Sequence, residues 1–433
     1  MSTKIEQNRI ADIRLEPNKK TGYYLVNNVI YYNKFQAMIE ATKTNSQVRW
    51  FYNEDVLVKY PWQVEPTETI EEIYRQRAQQ IRDQYDYIRV EASGGSDSNT
   101  VIYSFLLNGI HLDEVVYRYP KIAERHFSTT IYDQRPENNL SEWELAAQPL
   151  LKWIATHSPE TKITIVDYSE SVVDDNFSKN ESWVFETKNY VSPSYCMGKF
   201  DNNTQDFLHT VDRGVKMCII YGAEKPKVFI KDDKFFIYFV DNHTGHVTPS
   251  VGDYTNITNE LFFWTPDMPK LMCKQAHMVK TWLEQPANSK FADAIKWPTH
   301  TSLRTRTLYD QLVRNIVYPH YDNNTFQTAK PLINISNEMD DWFFNNYKDS
   351  AVYSVWRSGI KHLEDNIDQS YFVTHATRGK TDFRVFESPY YFIGDCHIKN
   401  PTPVLNTKKL VENIIVKPDA VHRHVFDGKI VIY

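Results

Sequence analysis

Two hydrophobic periods share this chain, and the places where one gives way to the other mark its elements. From residue 70 to 85, Ile70, Ile73, Tyr74, Ala78, Ile81 and Tyr85 recur at three- and four-residue spacing, which leaves one apolar stripe along a helix. Pro66 and Thr67 supply its opening signal. The period then drops to two. In "YIRVEA" (87–92), Ile88, Val90 and Ala92 fall on one side of a strand. Gly94 and Gly95 break it, and Val101, Ile102, Phe105 and Leu106 resume the helical spacing before Gly109 ends the element. The exchange repeats downstream. "DEVVYRY" (113–119) and "TKITIVDYS" (161–169) read as strands around the helix "WELAAQPLLKWIA", which follows the capping-box pair Ser141 and Glu144. A weaker helical run, "DNNTQDFLHTVD", leads to a fourth strand, "KMCIIYG" (216–222). Strands alternating with helices require right-handed crossovers, so the pattern predicts an α/β fold: an open parallel sheet with helices on both faces.

The flanks differ in character. "GYYLVNNVIYY" (22–32) and "VRWFYNEDVLV" (48–58) are β-type runs with Asn-Asn and Asn-Glu-Asp turn signals, which predicts a small antiparallel unit ending at "YPWQVEP". "KVFIKDDKFFIYFVD" reads as a hairpin turning at Asp232-Asp233. Beyond it, residues 266–285, 302–317 and 336–347 look helical, with "YYFIGD" and "KIVIY" as late strands. The expected organisation is a β-rich unit over 1–66, a nucleotide-binding domain over 67–260 and a mainly helical substrate region over 261–433.

Composition narrows the class. A chain of 433 residues with 41% hydrophobic, 24% charged and 14% aromatic content is a folded protein of more than one small core. Its net charge of -6 argues against a general nucleic-acid coat while leaving room for a local basic groove. Neither a bilayer-spanning apolar run nor the apolar core of a secretory signal is present, so the expectation is a cytoplasmic protein without a membrane partner. Cys196, Cys218, Cys273 and Cys396 are far apart and form no C-x-x-C pair, which fits reduced thiols.

Chemistry concentrates where the first parallel strand breaks. The loop "SGGSDS" (93–98) lies at the carboxyl end of that strand and runs directly into a helix, where open α/β sheets bind ligands. Gly94 and Gly95 let backbone approach a ligand without Cβ obstruction. The helix N-terminus attracts anions, and Ser93, Ser96 and Ser98 can donate to phosphate oxygens. Asp97 repels phosphate unless a cation such as Mg²⁺ bridges the two. The alternative is a Gly-Gly turn with a Ser/Asp cap and no ligand.

Residues 93–98 resemble the Ser-Gly-Gly-x-Asp-Ser signature of the PP-loop ATP pyrophosphatases, which share the HUP-type α/β sheet, at every fixed position. Neither a Walker loop nor a Rossmann fingerprint is present. The resemblance covers about residues 70–285 and is similar to the synthetase domain of asparagine synthetases. It implies ATP as cofactor, cleaved to AMP and pyrophosphate, with Mg²⁺. It further implies adenylation of a small-molecule acceptor, a carboxylate or amide-like group, for attack by ammonia or an amine from a separate donor. The loop would hold the departing pyrophosphate. Where the family places a metal-binding acidic residue and a lysine, this chain has "GAEKP", with Gly222, Glu224 and Lys225. Asp97 and Glu224 would then share the Mg²⁺, and Lys225 would contact pyrophosphate; a surface turn with solvated charges is the alternative. Adenine would lie near the end of the second strand, read by the Val116, Tyr117 and Arg118 backbone.

Glutamine-dependent relatives carry an N-terminal catalytic cysteine. Ser2 stands there, and only residues 1–66 precede the nucleotide domain, so no glutaminase domain is expected. The arrangement also resembles PP-loop proteins of large bacteriophages. Two other classes stay open: a nucleotide-binding module without turnover, and an RNA-modifying, thiolating enzyme. Lys274 and His277 share a helix face and could reach the cleft. The pairs His243/His246 and His422/His424 lack a third ligand at convincing spacing, and "GKTDFR" (379–384) lacks the upstream glycine of a Walker loop. "YPHYDNNTFQTAKP" (318–331) reads as a connecting loop lining the cleft.

Overall fold

The computed structural model describes residues 19–119, 143–167, 183–186, 214–223, 225–241, 256–296, 312–321, 342–374 and 382–398. Strand β1 (Tyr23–Val26) turns through Asn27 and Asn28 into β2 (Val29–Tyr31). Both asparagines have positive φ, 49° and 64°, the two-residue hairpin geometry that their short polar side chains tolerate. Helix α1 (Lys34–Thr44) follows, between the two runs read as β-type, where no helix was expected. Its signal is Asn33, whose Oδ1 accepts from the N–H groups of Phe35 and Gln36 at 2.9 and 3.1 Å. Strand β3 (Arg49–Phe51) completes a sheet in the order β2–β1–β3. The rest of the expected second strand is a helical turn at Glu54–Leu57, because Asn53 takes φ 49° and redirects the chain.

Helix α2 (Ile70–Gln84) buries the stripe expected of it: Ile70, Ile73, Tyr74, Ala78 and Ile81. It opens at Thr69 rather than at Pro66 or Thr67. Thr69 Oγ1 accepts from Glu72 N–H, and Glu72 Oε2 accepts from Thr69 N–H, a complete capping box.

The central sheet and its helices come next: β4 (Tyr87–Ala92), α3 (Ser96–Leu106), β5 (Glu114–Tyr119), α4 (Gln148–His157), β6 (Lys162–Asp167) and β7 (Met217–Tyr221). The hairpin β8 (Lys227–Lys231) and β9 (Lys234–Tyr238) precedes β10 (Ile257–Leu261). All pairings among the five sheet strands are parallel, in the order β10–β7–β4–β5–β6. The protein is an α/β fold. Ile88, Val90, Val115, Cys218 and Ile220 face a continuous apolar core shared with α2, α3 and α4. The other face carries a small cluster of Met217, Ile219 and Ile257 beside Tyr87. The run at 201–212, read from sequence as a helix, lies outside the described residues.

Asp232 and Asp233 make the β8–β9 turn with φ of 51° and 54°, as their spacing predicts. Helices α5 (Pro269–Glu284) and α6 (Ala351–Asn366) are followed by β11 (Phe372–Thr374), β12 (Asp382–Phe383) and β13 (Tyr391–Asp395). β13 pairs antiparallel with β9, so one sheet joins residues on both sides of position 260. "KIVIY" lies outside the described residues.

Buried charge fastens these parts. Arg77 of α2, wholly buried, donates to Glu260 of β10 at 3.0 Å and to the carbonyls of Leu261 and Phe262. Lys34 of α1 meets Asp241, beyond β9, at 2.8 Å with both side chains buried. Among the described residues no helix is long and apolar enough to cross a membrane.

Candidate functional site

Strand order defines where a ligand can sit. The chain enters the sheet at β4, steps outward through β5 and β6, then returns to lay β7 on the other side of β4. Loops leaving β4 and β7 therefore lie side by side at the carboxyl edge, where open α/β sheets bind ligands. The β4 loop is Ser93-Gly94-Gly95, and the β7 loop holds Gly222 and Lys225. Glu91 pairs with Tyr221, so the two loops begin level with each other.

Gly94 has a tertiary reason beyond ligand approach. Its φ is +70°, and a Cβ there would lie 2.5 Å from the backbone nitrogen of Ala147. The glycine thus lets the turn seat against the segment that begins α4. Gly94→Ala is expected to destabilise the fold by about 2–4 kcal/mol, combining left-handed strain with overpacking; a thermal midpoint matching the parent protein would refute this account. Gly95, at φ -79°, is the N-cap of α3 and adopts backbone open to any residue. Ser98, expected to donate to an anion, braces the turn instead. Its Oγ donates to Gly95 O at 3.1 Å and accepts from Ser93 N–H at 3.2 Å.

Asp97 is where three distant segments converge. Lys225 Nζ lies 3.1 Å from Oδ1 and 3.4 Å from Oδ2 of Asp97. The hydroxyl of Tyr318 donates to Oδ1 at 2.5 Å. Lys225 is 5% exposed and Asp97 27%, so the pair stands at the rim of the core with the carboxylate toward the opening. Gly222 makes the approach possible: a Cβ there would sit 3.0 Å from the carbonyl carbon and oxygen of Asp97 and from Ser98 N. β7 is thereby pressed against the first turn of α3.

Tyr318 belongs to residues 312–321, a helical turn and its exit. Tyr74 of α2 donates to Val317 O at 2.7 Å, and the ring of Tyr318 packs on Phe263 with centroids 5.4 Å apart. Tyr321 and Arg314 lie alongside. Burial pushes the Tyr321 hydroxyl above its ordinary value, Arg314 draws it down through charge and a hydrogen bond, and Asp97 raises it. Burial likewise raises Tyr74, against its bond from Gln275 and with a contribution from Asp97. Both phenols stay protonated beside the carboxylate. Of the 318–331 run, read as a connecting loop, only 318–321 are described, and no sequence signal paired Tyr318 with a residue 221 positions earlier.

The other expected residues lie in β5 and α5 or outside the described residues. Val116 and Tyr117 are buried within β5, with β4 on one side and β6 on the other. Arg118 makes a two-nitrogen contact with the Glu91 carboxylate at 3.0 and 3.1 Å rather than reaching the loop. Lys274 and His277 hold the 60–66 segment: Lys274 donates to Glu65 and Pro66 O, and His277 Nε2 meets Trp62 O at 2.9 Å. Glu224, His243, His246, His422, His424 and 379–381 lie outside the described residues.

The residues present fit a phosphate that brings its own cation. On the first turn of α3, Ser96 Oγ, a hydroxyl that can donate to phosphate, and Asn99 Oδ1, an acceptor suited to a cation or its water, are buried with no hydrogen-bond partner among the described residues. Residues Ser96 to Ser98 sit where helical N–H groups lack intrahelical acceptors. Lys225 adds positive charge. No group of three or more His, Cys, Asp or Glu able to hold a metal occurs among the described residues, and Mg²⁺ bound chiefly by phosphate and water requires only one or two carboxylates. The sequence matches no protein-family model and no curated protein.

Proposed function

We propose that this chain is an ATP-dependent enzyme of the PP-loop pyrophosphatase type, which cleaves ATP to AMP and pyrophosphate and adenylates a carboxylate or amide-like acceptor. The carboxylate oxygen attacks the α-phosphorus and pyrophosphate leaves; ammonia or an amine then attacks the acyl carbon and AMP leaves. The observation that carries this reading is the meeting of Asp97 and Lys225, 3.1 Å apart, at the carboxyl ends of the paired strands β4 and β7. Asp97 belongs to the "SGGSDS" turn itself.

Negative charge develops on the leaving pyrophosphate, and oriented positive groups fixed before reaction stabilise it without reorganising. The N-terminus of α3 and the ammonium of Lys225 are such groups. Asp97 would hold Mg²⁺ together with Glu224, and the ion would neutralise further phosphate charge. The Tyr318 hydroxyl brings the C-terminal half to the same carboxylate, with Tyr321 close enough to feel its charge, which supports an acceptor side built from that half.

Nitrogen transfer is favoured over sulfur transfer by the state of Cys218. Burial holds its thiol well above the ordinary value, with Glu260 adding to the effect, so it lacks the thiolate a sulfur carrier needs.

Incubation with α-labelled ATP, Mg²⁺ and a panel of carboxylic acids and amines tests the proposal. AMP and pyrophosphate are expected, with formation dependent on an acid in the panel. ADP and phosphate would contradict it. Tight nucleotide binding without turnover would mark a nucleotide-binding module. Mass spectrometry of small molecules retained on the purified protein identifies the acceptor.

A further inference from the structure

Asp97 already accepts three hydrogen bonds from the protein's own groups. A carboxylate offers about four lone-pair directions. Lys225 bridges both oxygens, at 3.1 and 3.4 Å, and so stands across the edge that a bidentate cation would take. The Tyr318 hydroxyl is a second donor and adds a third hydrogen bond, on Oδ1 at 2.5 Å. Lys225 is 5% exposed, and its ammonium repels a second cation in a setting where water screens little. The buried oxygens of Ser96 and Asn99 lie one helical turn away or less, without partners among the described residues. Donors are thus crowded on the carboxylate, while the Ser96 hydroxyl, which could donate to an anion, is left without a partner among the described residues.

We infer that Lys225 and Tyr318 form a self-paired lock on Asp97, so that a divalent cation binds only together with a pyrophosphate-bearing ligand. This rests on the reading that the turn accepts such a ligand. An incoming pyrophosphate offers the Lys225 ammonium a stronger anion. As Lys225 turns toward it, the paired edge of Asp97 opens to the cation the phosphate carries. Tyr318 connects the exchange to the C-terminal half, because its backbone neighbour Val317 is tied to α2 by Tyr74. Cation uptake and the seating of residues 312–321 are therefore linked. The physical gain is order: the site does not fill with free metal, which would hold Asp97 away from the phosphates.

Ultrafiltration measures the lock without turnover. Mn²⁺ retained by the protein is counted above the membrane with and without inorganic pyrophosphate, which passes the membrane when free. The parent protein is expected to retain Mn²⁺ alone only weakly, and at least tenfold more tightly with pyrophosphate. Tyr318→Phe keeps the ring on Phe263 and removes only the hydroxyl; it is expected to retain Mn²⁺ alone several-fold more tightly than the parent. Lys225→Gln is expected to go further in the same direction while losing the pyrophosphate enhancement. Equal retention of Mn²⁺ with and without pyrophosphate, or parent-like retention by both variants, overturns the lock and leaves the proposed chemistry standing. Retention of neither Mn²⁺ nor its pyrophosphate complex by the parent, with ATP also unbound, overturns the nucleotide reading and the lock with it.

Discussion

Asp97→Asn is expected to lower AMP formation by at least about 100-fold, the scale on which removal of one fixed charge-stabilising group acts. Asparagine keeps the shape of the side chain, and its Oδ1 still accepts from Tyr318 and from Lys225, so the turn keeps its geometry. The formal charge is what disappears, and with it the hold on a cation. Lys225, nearly buried, is left facing a neutral partner, so a stability loss of about 1–3 kcal/mol accompanies the change. Folded protein with AMP formation abolished is the predicted result, measured with α-labelled ATP at a temperature well below the variant's midpoint. Near-parental rates would remove Asp97 from the chemistry.

The largest effect on stability is expected at Arg77. Its guanidinium is wholly buried and engages Glu260, Gln80, and the carbonyls of Leu261 and Phe262. Arg77→Met deletes all four contacts while keeping much of the volume. Glu260 retains Lys20 at 3.1 Å and the Tyr85 hydroxyl at 2.9 Å, but two carbonyls at the end of β10 are left in an apolar setting. Breaking one side of a buried pair costs about 3–5 kcal/mol. Lys361→Met supplies the comparison, since the Lys361–Asp365 pair is 69% and 55% exposed and such pairs contribute under about 1 kcal/mol. Chemical denaturation of the two variants should separate them clearly. Equal midpoints would mean that the Arg77 network is replaceable by packing alone.

Much of the local structure was legible. The stripe on α2, the strand ending in Gly94-Gly95 and the Asp232-Asp233 hairpin each follow from side-chain period and turn chemistry within a few residues. Where reading failed, a local rule was outweighed. Residues 34–44 sit between strand-like runs and became helix because Asn33 caps them. Lys274 and His277 share a helix face, as their spacing requires, but that face meets the 60–66 segment rather than the carboxyl edge. Helical spacing reveals which residues point together and not what they point at.

The carboxyl-edge turn divides in the same way. Strand, glycine break and helix are properties of a short stretch, and chain chemistry alone places Ser96 and Asp97 at a helix N-terminus. Lys225 was identifiable as a residue in a loop after a later strand. Its distance from Asp97 was not, because that depends on β7 returning to the flank of β4 after two outward strands. Tyr318 lay further still from any local rule. Its place follows from Tyr74 and Phe263 burying the 312–321 segment against the sheet's helices. Backbone torsions and periodicity act over a handful of residues and are written into the sequence. The order of strands and the docking of distant segments follow from burying every apolar face at once, and only the assembled core decides them.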